Sequence, residues 1–256
     1  MNYKIISSRI RYKFIDLIDK GLKYHIGGTA SCLDILVVIF YGKFISLKNK
    51  SRDLFILSKG HALGALHSIL IDQKLLSEKK IFKLSNEGKI GSQIDIFNLK
   101  KFMDWNTGSL GHSIGVSIGF AISNPKKKIW TVIGDAEIDE GSVWEGLFFI
   151  SERKIKNIII IIDRNKISAT AKIDKKELLD KKLLNQLNLN LYKINGHNHK
   201  EIFSCLKKIK SSKKSAIIIA NTIKGKGFGI AENNLNYSVN LPSKDILKKI
   251  KMSYEK

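Results

Sequence analysis

The sequence predicts an α/β fold, a mostly parallel, twisted sheet with helices on both faces. Three observations predict it. Short β-branched runs alternate with longer stretches of helical periodicity. The run "NIIIIID" at 157–163 is continuously apolar, the pattern of a central parallel strand covered on both faces. "GHSIGVSIGFAIS" at 111–123 places small residues on one face of a helix, which suits close packing.

The elements follow in order. Residues 3–22 alternate apolar and charged groups at helical spacing. "TASCLDILVVIFYGKF" (29–44) reads as a buried helix with Thr29 or Ser31 as its N-cap. "DLFILS" (53–58) reads as a strand and 61–76 as a helix. Residues 77–107 give a short helix and then an irregular stretch. Residues 111–123 are helical, 128–134 a strand and 142–153 a helix. The strand at 157–163 is followed by a strand at 190–196, a helix at about 199–210 and a strand at 215–222. No repeat or Pro/Gly/Ser linker interrupts the pattern, so residues 1–256 read as a single domain.

Charge and cysteine content narrow the function classes. The formal net charge is +22, but the lysines are spread along the chain with only short runs such as Lys126 to Lys128. No Arg-rich arm or aromatic-interleaved basic helix is present. The excess reads as compositional bias, and no nucleic-acid partner is expected. Two cysteines, Cys32 and Cys205, make neither a disulfide framework nor a zinc site. The first residues carry scattered charges and no apolar signal region. The longest apolar runs are well short of the ~20 residues a membrane helix needs. A cytoplasmic protein without a membrane partner is the expectation.

In open α/β sheets, ligands bind at the carboxyl ends of the strands. Four strand ends carry suggestive residues: Lys59-Gly60-His61, Gly134-Asp135-Ala136, Asp163-Arg164-Asn165, and "TIKGKGFG" from Thr222 to Gly229. The Asp135 carboxylate and the Asn165 amide oxygen are hard donors suited to Mg2+ bridging to phosphate oxygens. Gly134 and the small Ala136 would let backbone N–H groups approach a diphosphate, beside a helix N-terminus. The same acids, Asp135 and Glu137, would serve equally as caps of the next helix.

Resemblance separates the two readings. "GDAEIDEGSVWEG" followed by "DRNKI" resembles the thiamine diphosphate signature, which begins Gly-Asp-Gly and ends in Asn. "KYHIGGTASCLDIL", "RDLFILSKGHALGALHSIL", "TGSLGHSIGVSIGFAIS", "INGHNH" and "TIKGKG" resemble transketolases, in particular the separate N-terminal subunit of split transketolases. The match runs in the family's order from about residue 10 to 242.

The resemblance implies a thiamine-diphosphate-binding fold and assigns roles. Asp135, Asn165 and the backbone carbonyl of Ile167 match the metal ligands, for Mg2+ or for Ca2+ or Mn2+. Gly134 and Ala136 match residues beside the diphosphate, with Ala136 where the family usually has Gly. His61 matches a histidine that contacts diphosphate and substrate, and His25 one that faces the reacting carbonyl. Gly108 and Leu110 match the loop that packs on the cofactor rings. His112 stands where many relatives have Gln and is counted with the cofactor contacts. Glu140 matches an acid at the subunit interface, thought to link two active sites. Glu137 and Asp139 are expected in a solvated turn. His67 is expected as a core or surface residue, His197 and His199 as loop and cap residues, and Trp105 and Trp144 as packing groups.

Two departures touch specificity. Relatives carry a Gly-His-Pro element before "TGSLG", whereas 91–111 contains neither His nor Pro. Relatives also carry a Trp-His pair where this chain has Tyr237-Ser238. The implied activity is transfer of a two-carbon ketol unit from a ketose donor to an aldose acceptor, both sugar phosphates or related compounds. The pyrimidine-binding domain is expected on a C-terminal partner subunit, with two copies of each chain in the assembly. The alternatives are an α subunit of a 2-oxoacid decarboxylating enzyme, or a cofactor-binding subunit with reduced or altered catalysis.

Overall fold

Why the sheet is buried on both faces is clearest in β4 (Ile158–Arg164). Alternate residues of a strand point to opposite faces. Ile159 and Ile161 enter one hydrophobic cluster, and Ile158, Ile160 and Ile162 enter the other. A computed structural model describes residues 1–49, 51–91, 94–95, 102–173, 184–238 and 240–254. Its sheet has six strands in the order β2-β1-β3-β4-β6-β5, and all five pairings are parallel. The others are β1 (Leu54–Leu57), β2 (Trp105–Asn106), β3 (Ile129–Gly134), β5 (Asn190–Asn195) and β6 (Ala216–Asn221). The α/β expectation holds. The two-residue edge strand β2, inside the stretch read as irregular, is an addition.

One face is covered by α1 (Tyr3–Asp19), α2 (Ile26–Tyr41), α3 (Leu63–Asp72), α7 (His199–Lys210) and α8 (Lys244–Met252). The other is covered by α5 (His112–Ser123) and α6 (Gly141–Glu152). A further helix, α4 (Glu78–Asn86), is capped by Ser77, whose hydroxyl accepts from Lys80 N. Every residue of α2 from Ile26 to Phe40 is buried, as a helix apolar all round must be.

The start of α2 corrects the sequence reading. The cap position is His25, while Thr29 and Ser31 lie inside the helix. Gly27 and Gly28 occupy the first turn of α2. A Cβ on Gly28 would lie 1.9 Å from His61 Cδ2, so the glycine serves close approach rather than chain reversal. The helix at 61–76 is shorter than expected. A one-turn 3-10 segment at Gly60–Ala62 precedes α3.

Candidate active site

β1 continues outward to β2, whereas β3 leads on to β4 on the other side. The order in which strands are added therefore reverses between β1 and β3, where an open parallel sheet leaves a crevice. A cleft of about 360 Å³ lies there. The ends of β1, β3, β4 and β6 and the segments after them wall it with Ser58 to His61, Gly134 to Glu137, Asn165, Ile167 to Thr170, and Lys224. His25, Gly108, Leu110 and Ser238 complete the lining.

Asp135 is 7% exposed. Its Oδ2 accepts from Lys166 N at 2.5 Å and its Oδ1 from Ala136 N at 3.1 Å. The acid thus caps its own 3-10 turn while lining the cleft, so the two sequence readings coexist. Burial, and then the charge of Asp163, push its carboxyl up to about 6. Asn165 is buried, and its Oδ1 accepts from Ile167 N at 3.1 Å. The carbonyls of Ile167 and Ser168 accept from Lys224 Nζ at 2.9 and 2.7 Å. The Ile167 and Ser168 carbonyls are thus already engaged by the Lys224 ammonium. Burial, and then repulsion by Lys59, lower the Lys224 ammonium to about 8.

His25 and His61 meet edge to face, with ring centroids 6.2 Å apart. Burial, then Lys59 and Lys224, hold His61 well below the ordinary imidazole range, so the ring is neutral near pH 7. Burial lowers His25 as well. Both rings can therefore offer one N–H and one lone pair.

The model of the transketolase thiamine diphosphate binding domain matches residues 2–254. The chain belongs to this transketolase family. It is 29% identical to an apulose-4-phosphate transketolase subunit from Actinobacillus succinogenes over 232 residues, 86% of this chain and 84% of that protein. It is 30% identical to the 6-deoxy-6-sulfo-D-fructose transketolase subunit SqwG of a Clostridium species over 223 residues, 82% of this chain and 81% of that protein. The transketolase of Campylobacter jejuni superimposes with a TM-score of 0.86 at 27% identity, covering 100% of this chain and 43% of that one. The chain thus spans most of the two transketolase-subunit relatives but less than half of the C. jejuni transketolase chain.

Within this transketolase domain, several side chains differ from the sequence reading. Glu137 is not in a solvated turn. It is 1% exposed and accepts hydrogen bonds from the Ser58 hydroxyl, Gly111 N and Gly134 N. Asp139 is exposed as expected. His112 is exposed and lies outside the cleft, on a groove between α5 and α6. Glu140 is half-buried at the N-cap of α6, and Gly111 packs against its Cβ. His197 and His199 do more than line a loop. Both bond to Asp34, at 2.7 and 3.2 Å, where Arg11 also forks onto the carboxylate. Asn198 is the cap of α7. His67 is a core residue, joined to Tyr24 at 2.6 Å and to Asp95 at 3.2 Å. Trp144 packs against the core and donates its Nε1 to Ile138 O at 2.8 Å.

A second buried layer supports the floor of the cleft. Lys59 Nζ pairs with Asp163, both essentially unexposed. Ser31 Oγ donates to Asp163 at 2.5 Å, and the Thr222 hydroxyl also donates to it. Burial alone would raise Asp163, but Lys59 and these hydroxyls hold it below the ordinary carboxylate range. Ser238 is 4% exposed, and among the described residues its hydroxyl has no partner. The histidine-free stretch 91–111 lies partly outside the described residues, at 92–93 and 96–101. Among the described residues no helix is long and apolar enough to cross a membrane. No group of three or more His, Cys, Asp or Glu among them could hold a metal.

Proposed function

We propose that this chain is the diphosphate-binding half of a two-chain transketolase-like enzyme. It transfers a two-carbon ketol unit from a ketose donor to an aldose acceptor, both sugar phosphates or related compounds. The carrying observation is the convergence of Asp135, Asn165, Ile167, His61 and His25 on one cleft at the reversal point of the sheet. The two relatives named as transketolase subunits, matched over more than four fifths of their length, support a partner chain.

The residues present fit a divalent cation and its diphosphate. Asp135, the Asn165 amide oxygen and the Ile167 carbonyl, from which Lys224 Nζ would have to withdraw, offer hard oxygens, the donor set that suits Mg2+, or Ca2+ or Mn2+. The raised Asp135 carboxyl marks a buried charge that a cation would offset. Gly134 and Ala136 border the diphosphate, Gly108 and Leu110 the cofactor rings. When bound, thiamine diphosphate supplies the nucleophilic carbon that takes up and releases the two-carbon unit. This chain's residues bind, orient and move protons. Lys224 and neutral His61 donate hydrogen bonds to anionic oxygens. His25 faces the reacting carbonyl, where a neutral ring can give or take a proton.

The partner is a C-terminal subunit carrying the pyrimidine-binding domain, in an assembly of two copies of each chain in the cytoplasm. Glu140 and His112, on the α5–α6 side, face that assembly rather than the cleft. Purified chain should show no ketol transfer alone and should gain turnover when the partner is added. Turnover by the chain alone would refute the two-chain reading.

A further inference from the structure

Three wall segments of the cleft meet on one buried carboxylate. Glu137 Oε1 accepts from Gly111 N at 3.0 Å and from the Ser58 hydroxyl, and Oε2 accepts from Gly134 N at 3.3 Å. All three partners are neutral donors, and the side chain is 1% exposed. Only an acceptor-only group satisfies donors on both oxygens. A glutamine would turn an N–H2 toward one of them. Burying a carboxylate whose three donors are all neutral costs stability.

Gly111 is also fixed from the other side. Its φ is +77°, and a Cβ there would meet Ser142 Oγ at 2.3 Å and Glu140 Cβ at 2.9 Å. The turn ending at Gly111 is therefore held between Glu137 and the start of α6. Gly108 and Leu110, in that turn, line the cleft, and Leu110 is 47% exposed.

We infer that Glu137 is a positioning residue that clamps the 108–111 turn to the floor of the cleft and so pre-forms the wall against which the cofactor's rings pack. The inference rests on the proposed thiamine diphosphate site. Pre-forming a wall raises affinity by removing an ordering cost at binding. The effect is confined to ligands that reach the wall. A diphosphate without the rings reaches Gly134 but not the 108–111 turn, so it feels only the long Gly134 N contact and is weakened far less.

The test uses the complex of this chain with its pyrimidine-domain partner and calorimetry with Mg2+. Thiamine diphosphate and inorganic pyrophosphate are titrated in parallel. Glu137→Ala should weaken thiamine diphosphate by about tenfold, or about 1.4 kcal/mol, with pyrophosphate unchanged within about twofold. Glu137→Gln, which keeps one accepting oxygen, should recover most of the loss. Equal weakening of both ligands, or no weakening of either, overturns the inference. If the alanine variant does not fold, Glu137→Gln decides alone. It should weaken thiamine diphosphate by about threefold and spare pyrophosphate, and an unmoved ratio overturns the inference. Failure of the unaltered complex to bind thiamine diphosphate would instead sink the proposed function.

Discussion

Gly28 and His61 occupy one another's space: the missing Cβ of Gly28 is filled by the imidazole of His61, 1.9 Å from where that carbon would stand. The first turn of α2 thereby sets the direction in which His61 faces the cleft. Gly28→Ala should favour the helix by up to about 1 kcal/mol in propensity, yet drive the ring aside. The expected result is a folded protein whose complex binds thiamine diphosphate at least tenfold more weakly. Thermal unfolding and calorimetry read the two effects separately. Unchanged cofactor affinity would show that His61 does not contact the ligand.

Asp135 gives a prediction with a pH signature. Its folded value of about 6 lies above the ordinary 3.8. The folded chain therefore holds an extra proton between those values. Without metal, the contribution is most favourable below about pH 4 and is lost as pH rises through 6, by about 3 kcal/mol in total. Asp135→Asn should abolish this loss, so the stability gap between variant and parent should widen from pH 4 to 7. Urea unfolding across that range in chelator checks it, and a constant gap rejects the environment assigned to Asp135.

With the partner present, Asp135→Ala removes the only formal negative charge among the proposed metal ligands. Mg2+-dependent cofactor affinity should fall by at least tenfold, about 1.4 kcal/mol. Calorimetry showing equal affinity would reject the metal assignment.

The buried pair of Lys59 and Asp163 should behave as a unit. Lys59→Met leaves a buried carboxylate with only the Ser31 and Thr222 hydroxyls and weak contacts to Asn165. Breaking one half of such a pair costs about 3–5 kcal/mol. Adding Asp163→Asn should restore much of the stability, because the amide is neutral; its one oxygen still accepts from either the Ser31 or the Thr222 hydroxyl, which bond opposite carboxylate oxygens. A double-mutant cycle by denaturant unfolding measures the coupling, and additive effects would contradict it.

Ser238 bears on the donor. A histidine there would offer a longer reach and, when charged, a bond of about 1.5–3 kcal/mol. The buried Ser238 hydroxyl instead has no partner among the described residues. The complex should bind thiamine diphosphate but use xylulose 5-phosphate poorly, preferring another ketose or a 2-oxo donor. Ser238→His should raise xylulose 5-phosphate use. A donor panel decides, and a kcat/KM of order 10⁴ M⁻¹s⁻¹ or more for that sugar in the unaltered complex would make the substitution neutral.

The sequence by itself determined the parallel α/β sheet and the family. Strand and helix patterns are local, and the motifs at the ends of β1, β3, β4 and β6 are contiguous runs that need no partner to be recognised. What it left open was where isolated polar groups go. Glu137 reads as one more acid in a charged turn, and its burial depends on Ser58, 79 positions away. The Lys59–Asp163 pair spans 104 positions and the Ser31–Asp163 bond 132. His197 and His199 find Asp34 across more than 160 positions. Nor does the local sequence say why Gly27 and Gly28 stand in the first turn of α2: the groups a Cβ there would meet, Lys224 and His61, are distant in the chain. The charge state and partner of a buried side chain are set by desolvation and by donors that only packing brings within 3 Å. Tertiary structure alone therefore decided which acids hold the cleft together, which histidines are neutral within it, and that Ser238 lines it.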